Sequence, residues 1–246
     1  MLALPPRPHL NRMSASELVT VVTCGVRVLL DSNRTMDIIT AEEMTAQAQL
    51  PFLLEQGVFD SEYARGMLEE QPSLESMDLE VLRELAPDTF GYAVARFFDS
   101  HGLSPGFYAV PAQYTEDPDA AYLMQRIRQS HDMWHVLFGL NVDGHEEILL
   151  HAFSLAQTGL PASIALIALG SIKHMLLEAR FGCFRDGLAE AYRRGRRAKP
   201  LIGVRWEQYF DRPLAEVRRE FDISPWTHED RAATSPWRWR GPRRAA

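Results

Sequence analysis

Residues 128–147 have the sequence RQSHDMWHVLFGLNVDGHEE, which predicts two helices joined by a tight turn. Because successive helical residues are about 100° apart, His131, Asp132 and His135 project within one narrow arc of the first helix. Glu147 lies one turn into the second helix, at a depth that matches His135 if the helices pack antiparallel. The window therefore predicts that two imidazoles and two carboxylates share one pocket.

These four side chains are suitable ligands for a divalent metal ion. A pair of histidines four residues apart is, by itself, more often packed in a core or exposed to solvent than bound to metal. Four ionisable groups on one face of a helical hairpin would, however, be costly to bury unless a cation neutralised them. Gly139 lies on the same face and leaves space beside the pocket. The mixed nitrogen and oxygen ligands suit zinc, iron, manganese or cobalt, so they predict a metal site without identifying the metal.

Two further residues on these faces are candidates for a role in catalysis. Arg128 lies one turn before His131, where it would either orient an anionic group of a substrate or form a salt bridge with Asp132. His151 lies one turn beyond Glu147, where it would hydrogen-bond to a metal ligand or replace one. On the first helix, Trp134 and its neighbours on that side are expected to anchor the helix in the core.

The composition is that of one large globular domain. The chain has 246 residues, of which 46% are hydrophobic, and this is enough to build an ample core. Its formal net charge of −7 argues against nucleic acid as a partner. The longest apolar run, residues 160–172, is too short to span a bilayer. We therefore expect a cytoplasmic protein whose membrane contact is peripheral, at the inner face of the cell membrane.

No other catalytic motif in the sequence is as well supported as the metal-ligand pattern in residues 128–147. The phosphate-binding loop, the dinucleotide-binding glycine pattern and the nucleophile elbow are all absent from the sequence. The pattern His-Asp-x-x-His differs from the His-Glu-x-x-His of zinc peptidases, because Asp132 is one methylene shorter than glutamate and no third-ligand signature follows. A metal-dependent hydrolase of esters or phosphates remains a more general alternative.

Helical signals cover most of the chain, which contains neither an internal repeat nor a convincing strand pattern. Ser14 begins an apolar helix that runs to Leu30, and residues 40–43 have the pattern of a capping box that opens the next helix. The last residues mix proline, glycine, tryptophan and arginine, which predicts disorder and also suits an anionic membrane surface. We divide the chain into an N-terminal extension at 1–13, a helical domain at 14–225 and a disordered Arg/Trp-rich tail at 226–246.

The sequence His131-Asp132-x-x-His135, followed by eleven residues and Glu147, resembles the signature of the Coq-four family of coenzyme Q (ubiquinone) biosynthesis proteins. The resemblance extends from about residue 15 to residue 222. Other stretches resemble family sequence in the same order, at residues 89–93, 102–105, 122–132, 195–201, 206–207 and 212–218.

The resemblance implies an all-α, single-domain bundle of many helices with an apolar channel between them. The channel would hold a long isoprenoid chain, and we expect helices at 14–30 and 162–177 to form its walls. Two segments depart from the family: residues 31–50 follow its pattern only loosely, and the residues after Asp222 have no counterpart in it. The first departure concerns the substrate pocket, and the second concerns localisation.

By the same resemblance, a divalent metal ion, zinc first among the candidates, is bound by His131, Asp132, His135 and Glu147. The implied activity is a metal-dependent lyase reaction that removes the carboxyl group from ring carbon one of a polyprenylated hydroxybenzoate. In the oxidative form of the reaction, that carbon is also hydroxylated. In this mechanism Arg128 would orient the carboxylate, and His151 would support the reaction next to the metal.

The resemblance also implies partners and an alternative function. Expected partners are a polyprenylated aromatic acid, other quinone-biosynthesis enzymes, a peripheral membrane surface and a second copy of the chain in a homodimer. The alternative is a non-catalytic scaffold that binds prenyl lipids and organises a quinone-biosynthesis enzyme complex. A scaffold would keep its lipid binding and its assembly after every metal ligand had been removed.

Overall fold

The regular structure of this chain is helical. The computed structural model describes residues 8–9, 11–31, 34–108, 110–177 and 181–234. Helices make up 68% of the structure, and the described residues contain no strand beyond one isolated bridge between Thr89 and Pro213. The all-α, single-domain fold predicted from the sequence is therefore confirmed.

Twelve α-helices follow one another in the described part of the chain. They are α1 (Ala15–Leu30), α2 (Thr35–Ala46), α3 (Gln49–Glu55), α4 (Met67–Glu70), α5 (Leu79–Arg83), α6 (Phe90–His101), α7 (Pro118–Phe138), α8 (Gly144–Thr158), α9 (Pro161–Leu177), α10 (Phe181–Arg197), α11 (Leu214–Glu220) and α12 (His228–Thr234). Short 3-10 turns lie at Glu62–Ala64, Leu74–Ser76, Pro105–Tyr108 and Trp206–Gln208.

The ends of α1 and α7 follow from local sequence chemistry. Ser14 accepts a hydrogen bond from the backbone N–H of Glu17, whose side chain accepts one in return, so α1 begins at the predicted residue. Asp117 accepts a hydrogen bond from the N–H of Ala120 at 2.8 Å and so caps α7. The helix ends where Gly139 adopts a φ of 68°, a left-handed conformation that glycine adopts without steric strain.

The capping box predicted at residues 40–43 is wrong, because these residues lie inside α2, which already begins at Thr35. The carboxylates of Glu42 and Glu43 form hydrogen bonds with distant parts of the chain and do not cap a helix. Glu42 accepts a hydrogen bond from Arg128, and Glu43 accepts one from the backbone N–H of Tyr114 at 2.6 Å. A local pattern of acidic residues was thus overridden by partners about 70 to 90 residues away in sequence.

Helix α7 is the central helix of the core. Trp134 and Phe138 are fully buried on it, as the sequence predicted, and both pack against Phe153 of α8, with ring centroids 5.6 and 4.1 Å apart. Helix α10 crosses the other side of α8 at Gly195, where a Cβ atom would lie 2.8 Å from the carbonyl oxygen of Phe153. Burying each large aromatic side chain contributes roughly 1.5–3 kcal/mol, so this stack holds α7 and α8 firmly together.

A buried arginine fastens α7 to two distant loops. Arg126 is fully buried, and its guanidinium forms an ion pair with Glu207 at 2.8 Å. It also donates hydrogen bonds to the carbonyl oxygens of Pro72 and Val204, each at 3.2 Å. A charge removed from water in this way is tolerated only because it is paired and hydrogen-bonded.

Packed structure extends beyond the domain limits suggested by the sequence. Near the N-terminus, the ring of His9 stacks on Phe52 at 3.9 Å. Near the C-terminus, Trp226 is buried under the guanidinium of Arg194 at 4.3 Å, and α12 follows it. Order therefore continues past residue 225, while the disorder expected for residues 235–246 concerns residues outside the described part.

One face of α1 is apolar and exposed. Its side chains are 51–82% exposed, and we call them the α1 apolar face: Leu18, Val19, Val22, Val26 and Leu30. The opposite side of α1 packs on α2 and α9, with Gly25 close to Leu169. Within the described residues, no helix has both the length and the apolar character that crossing a bilayer requires.

Candidate metal centre

Three of the predicted ligands meet between α7 and α8. The Nε2 atom of His131 lies 3.2 Å from Oε2 of Glu147, and Nε2 of His135 lies 3.3 Å from Oε1 of the same carboxylate. The two Nε2 atoms lie 3.2 Å from each other. The helical hairpin that the sequence predicts is therefore present, with the two helices antiparallel and their ligands at matching depths.

The spacing of these atoms fits a divalent metal. One ligand atom from each of His131, His135 and Glu147 lies within 4.8 Å of the others. Nitrogen and oxygen ligands at 2.0–2.1 Å from a tetrahedral metal lie about 3.3 Å apart, which is close to the distances found here. Two imidazoles and one carboxylate form a three-residue set typical of catalytic metal sites that leave further positions open.

The ring of His135 is held in the orientation that a ligand needs. Its Nδ1 atom lies 3.2 Å from the carbonyl oxygen of Leu140, which can only accept a hydrogen bond. Nδ1 can therefore donate to it, and Nε2 is the ring atom that faces Glu147 and that would bind a metal. Phe97 of α6 stacks on the imidazole at 5.3 Å and fixes its plane.

The charges in the centre are strongly coupled. Burial alone would raise the pKa of Glu147, but His135 and His131 outweigh it and hold that pKa well below its usual range. Burial alone would lower the pKa of His131, and the hydrogen bond and charge of Glu147 reverse this, so the net shift is upwards. The site thus stabilises an ionised carboxylate facing a positive charge, which is the arrangement a cation also favours.

The centre lies in the wall of a cavity of about 490 Å³. Helices α1, α2, α7, α8 and α9 all contribute to the lining, which includes His131, Glu147 and His151. A cavity of this volume is of the size that usually takes a small organic ligand. The geometry can therefore place a bound molecule against the candidate metal ligands.

Comparison with known proteins identifies the family. The profile described as "Coenzyme Q (ubiquinone) biosynthesis protein Coq4" matches residues 7–227. The chain belongs to the Coq4 family. The ubiquinone biosynthesis protein COQ4 of Yarrowia lipolytica is 34% identical over 217 residues, which cover 87% of this chain and 82% of that protein. The mouse COQ4 homologue is 34% identical over 185 residues, covering 74% and 68% of the two chains.

A solved structure has the same fold. A protein from Nostoc punctiforme PCC 73102, described as a candidate ubiquinone biosynthesis protein, superposes with a TM-score of 0.66. It is 24% identical, and the match covers 83% of this chain and 97% of that one. The names of the Yarrowia and mouse relatives describe them as mitochondrial, which differs from the cytoplasmic placement expected from the sequence.

In this Coq4-family chain, Asp132 does not join the cluster of close ligand atoms. Asp132 is a buried residue, 6% exposed. Burial raises the pKa of this carboxyl group, while the charges of His131 and His135 act in the opposite direction. Asp132 therefore interacts with the centre electrostatically from the neighbouring side of α7.

Arg128 does not pair with Asp132, which was one of the two roles expected for it. Its Nε atom donates to Glu42 at 3.2 Å, and its Nη2 atom donates to the carbonyl oxygen of Ile39 at 3.1 Å and lies 3.6 Å from Glu43. All these partners belong to α2, so Arg128 ties α7 to α2. Arg128 and Glu42 both line the cavity.

His151 lies beside the centre, as expected, but outside the cluster of three ligand atoms. Its ring centroid is 5.6 Å from that of His131. Burial, with a smaller contribution from His131, lowers the pKa of His151 to about 3. The imidazole is therefore neutral near pH 7 and available as a hydrogen-bonding group facing the cavity.

Residues from the C-terminal part of the Coq4 domain support the hairpin, and sequence reasoning missed them. Arg218 donates to the carbonyl oxygens of Leu137 and Val136 at 2.8 and 2.9 Å, and so caps the end of α7. The backbone N–H of Trp226 donates to the carbonyl oxygen of Phe138 at 2.7 Å. These contacts join residues about 80 to 90 positions apart, so no local pattern in the sequence reveals them.

Proposed function

We propose that this Coq4-family protein removes the carboxyl group from ring carbon one of a polyprenylated hydroxybenzoate, in a reaction that depends on a divalent metal. The observation that carries the proposal is the cluster of His131, His135 and Glu147, of which His131 and Glu147 line a cavity of about 490 Å³. Membership of a ubiquinone-biosynthesis family supports the choice of an aromatic, prenylated substrate.

The three clustered side chains would hold the metal, with zinc, iron, manganese or cobalt as candidates. When bound, such an ion withdraws electron density from a carboxylate or phenolic oxygen and so favours the loss of carbon dioxide. Glu147 supplies the negative charge that faces both imidazoles, and Asp132 lies outside this cluster. His135 is pre-oriented by its hydrogen bond to the backbone, so the centre needs little rearrangement to bind.

Arg128 and His151 prepare the cavity for an anionic ring. The guanidinium neutralises Glu42 in the cavity wall, which would otherwise repel a benzoate carboxylate. The neutral imidazole of His151 adds no charge and offers a hydrogen bond to a substrate oxygen. Both residues therefore bind and orient the substrate in this proposal.

The remaining walls suit an isoprenoid chain. Apolar side chains from α1, α2 and α9 line the cavity, among them Val28, Ile38 and Leu166. Each buried CH₂ group stabilises binding by about 0.8 kcal/mol, so several isoprene units would supply most of the affinity. The helices at 14–30 and 162–177 were expected to form such walls, and both contribute residues.

The direct test is to incubate the purified protein with a short-chain prenylated hydroxybenzoate and follow the substrate by mass spectrometry. We expect loss of the mass of carbon dioxide, with gain of one oxygen in the presence of air if the reaction is oxidative. Treatment with a chelator should abolish turnover, and adding back one divalent metal should restore it.

Turnover that is unchanged by the chelator would contradict the metal-dependent mechanism. Tight binding of the prenylated acid without any turnover, whatever the metal, would instead favour the non-catalytic scaffold. Hydrolysis of simple esters or phosphates without any dependence on a prenyl chain would favour a general hydrolase.

The α1 apolar face favours contact with a lipid surface. Its exposed valines and leucines belong to the same helix as Val28, whose side chain lines the cavity. Ile164 and Ile172 of the neighbouring helix α9 are also exposed. A prenylated substrate resides in the bilayer, so a cavity wall continuous with an apolar surface offers it a short path into the site.

A Val22→Glu protein is expected to bind neutral phosphatidylcholine vesicles at least about tenfold more weakly than the wild type in a sedimentation assay. The physical reason is that the charge cannot enter the apolar region that valine enters. Val81→Glu is a matched control, because Val81 on α5 is 59% exposed and Val22 is 56% exposed. Unchanged vesicle binding together with a shift from dimer to monomer would show instead that this face joins two copies of the chain.

A further inference from the structure

Helix α9 has a glycine where it packs against α8. Gly170 lies four residues after Leu166, whose side chain lines the cavity, so both positions share one face of α9. A glycine inside a helix is less favourable than alanine, so this position needs a packing reason. The reason is Ile148 of α8, because a Cβ atom at position 170 would lie 2.6 Å from its Cγ1 atom and 2.7 Å from its Cδ1 atom.

Ile148 is itself part of the cavity wall. It follows Glu147 directly in α8, so it lies beside the candidate metal centre. Its side chain is partly buried and packs against the hydrophobic core. Ile148 therefore has the core and α9 as its neighbours, and the cavity is the open space next to it.

The glycine at position 170 thus gives the cavity part of its width. Carbon atoms in contact lie at least about 3.5 Å apart, so a methyl group at position 170 would displace the end of the Ile148 side chain by roughly 1 Å. With α9 and the core already occupied, the displaced side chain would move into the cavity, beside Glu147.

We propose that Ile148, seated on Gly170, determines whether an aromatic acid bound at the metal centre can carry a prenyl substituent on its ring. This inference rests on the proposed function, in which the carboxylate of that acid lies at the cluster formed by His131, His135 and Glu147. The ring and its first isoprene unit then lie next to Ile148. A narrower cavity would exclude the prenylated acid and still admit the ring without a tail.

The test compares two probes, 3-geranyl-4-hydroxybenzoate and 4-hydroxybenzoate, by titration calorimetry of the full-length protein with zinc present. The wild type should bind the geranyl probe at least about 100-fold more tightly, because its tail is buried in the cavity. In Gly170→Ala this preference should fall by at least about tenfold, since overpacking of this kind is costly. The affinity for 4-hydroxybenzoate should change by less than about threefold.

A second variant tests whether the effect passes through Ile148. In an Ile148→Ala protein, the side-chain atoms that a Cβ at position 170 would meet are gone. Adding Gly170→Ala to that protein should therefore change the preference by less than about threefold. Two residues that act through one contact are expected to be coupled in this way.

Gly187→Ala is the matched control. Gly187 also lies inside a helix, α10, and a Cβ atom there would lie 2.9 Å from the Cβ atom of Thr234. Neither Gly187 nor Thr234 is among the described residues that line the cavity. The control makes the same chemical change at a similarly tight contact, so it should keep the full preference for the geranyl probe.

The inference is overturned if Gly170→Ala keeps the wild-type preference, if Gly187→Ala loses as much of it, or if the loss persists in the Ile148→Ala protein. Each of these results leaves the proposed function standing, provided that the wild type prefers the geranyl probe. Equal binding of the two probes by the wild type would overturn the prenylated substrate and, with it, this inference, so the two failures can be distinguished.

Discussion

A Glu147→Ala protein is expected to lose the divalent metal that we propose for the centre and, with it, the proposed decarboxylation of a prenylated hydroxybenzoate. Among the described residues, Glu147 is the one carboxylate within 4 Å of both Nε2 atoms, and it comes from the opposite helix. Without it, two histidines one turn apart remain, and two ligands hold a metal weakly. Metal affinity should fall by more than about 100-fold, beyond the 10–100-fold typical of groups that only support a ligand.

The measurement is metal content after dialysis, by mass spectrometry of the protein, combined with the turnover assay. Glu42→Gln is the control, because Glu42 lies in the same cavity wall but binds Arg128 and is not one of the clustered ligands found among the described residues. It should retain its metal. A Glu147→Ala protein with wild-type metal content and wild-type turnover would refute the assignment of the centre.

Replacing Arg126 by methionine should destabilise the whole fold by about 3 kcal/mol, the low end of the range for breaking a buried ion pair. The low end applies because Glu207, the partner left behind, is 25% exposed and is partly hydrated. Two carbonyl oxygens, of Pro72 and Val204, also lose their donor. In a chain of this size the melting temperature should fall by roughly 6–12 °C.

Arg83→Met provides the comparison, because Arg83 pairs at the surface with Asp99 and with Glu80, each at 2.7 Å, and its own side chain is 34% exposed. Surface pairs contribute about 0–1 kcal/mol, and the Glu80 side chain is 84% exposed, so the melting temperature should change by less than about 4 °C. Calorimetry of both variants measures the difference. An equal fall in melting temperature in the two variants would show that the buried ion pair of Arg126 stabilises the fold no more than a surface pair does.

The sequence predicts the α7–α8 hairpin and three of the four candidate ligands in its cluster, while the fourth, Asp132, lies outside the cluster. The ligands lie within one short window, and their relative positions depend only on helical periodicity and one tight turn. The two ends of α7 can also be predicted from the sequence, because Asp117 and Gly139 form hydrogen bonds with backbone groups of this same helix. Local rules are sufficient wherever both partners of an interaction are local.

The same rules fail where the partner is distant. The salt bridge expected between Arg128 and Asp132 is absent, because Arg128 binds Glu42, 86 residues away. The capping box predicted at residues 40–43 is wrong for the same reason, because Glu42 and Glu43 bind Arg128 and the backbone of Tyr114. Arg218 donates a hydrogen bond to Leu137 at the end of α7, 81 residues earlier, and no local sequence pattern links the two positions.

The glycine at position 195 gives α10 its close approach to α8, and this has a consequence for how the protein tolerates change. Helix α8 carries Glu147 on one side and meets Gly195 on the other. Any larger residue at 195 would push α8 away from α10 and towards the cavity, and so displace the carboxylate from its two imidazoles. The close packing of α10 against α8 at Gly195 therefore helps to set the distance between Glu147 and the two imidazoles on the far side of α8.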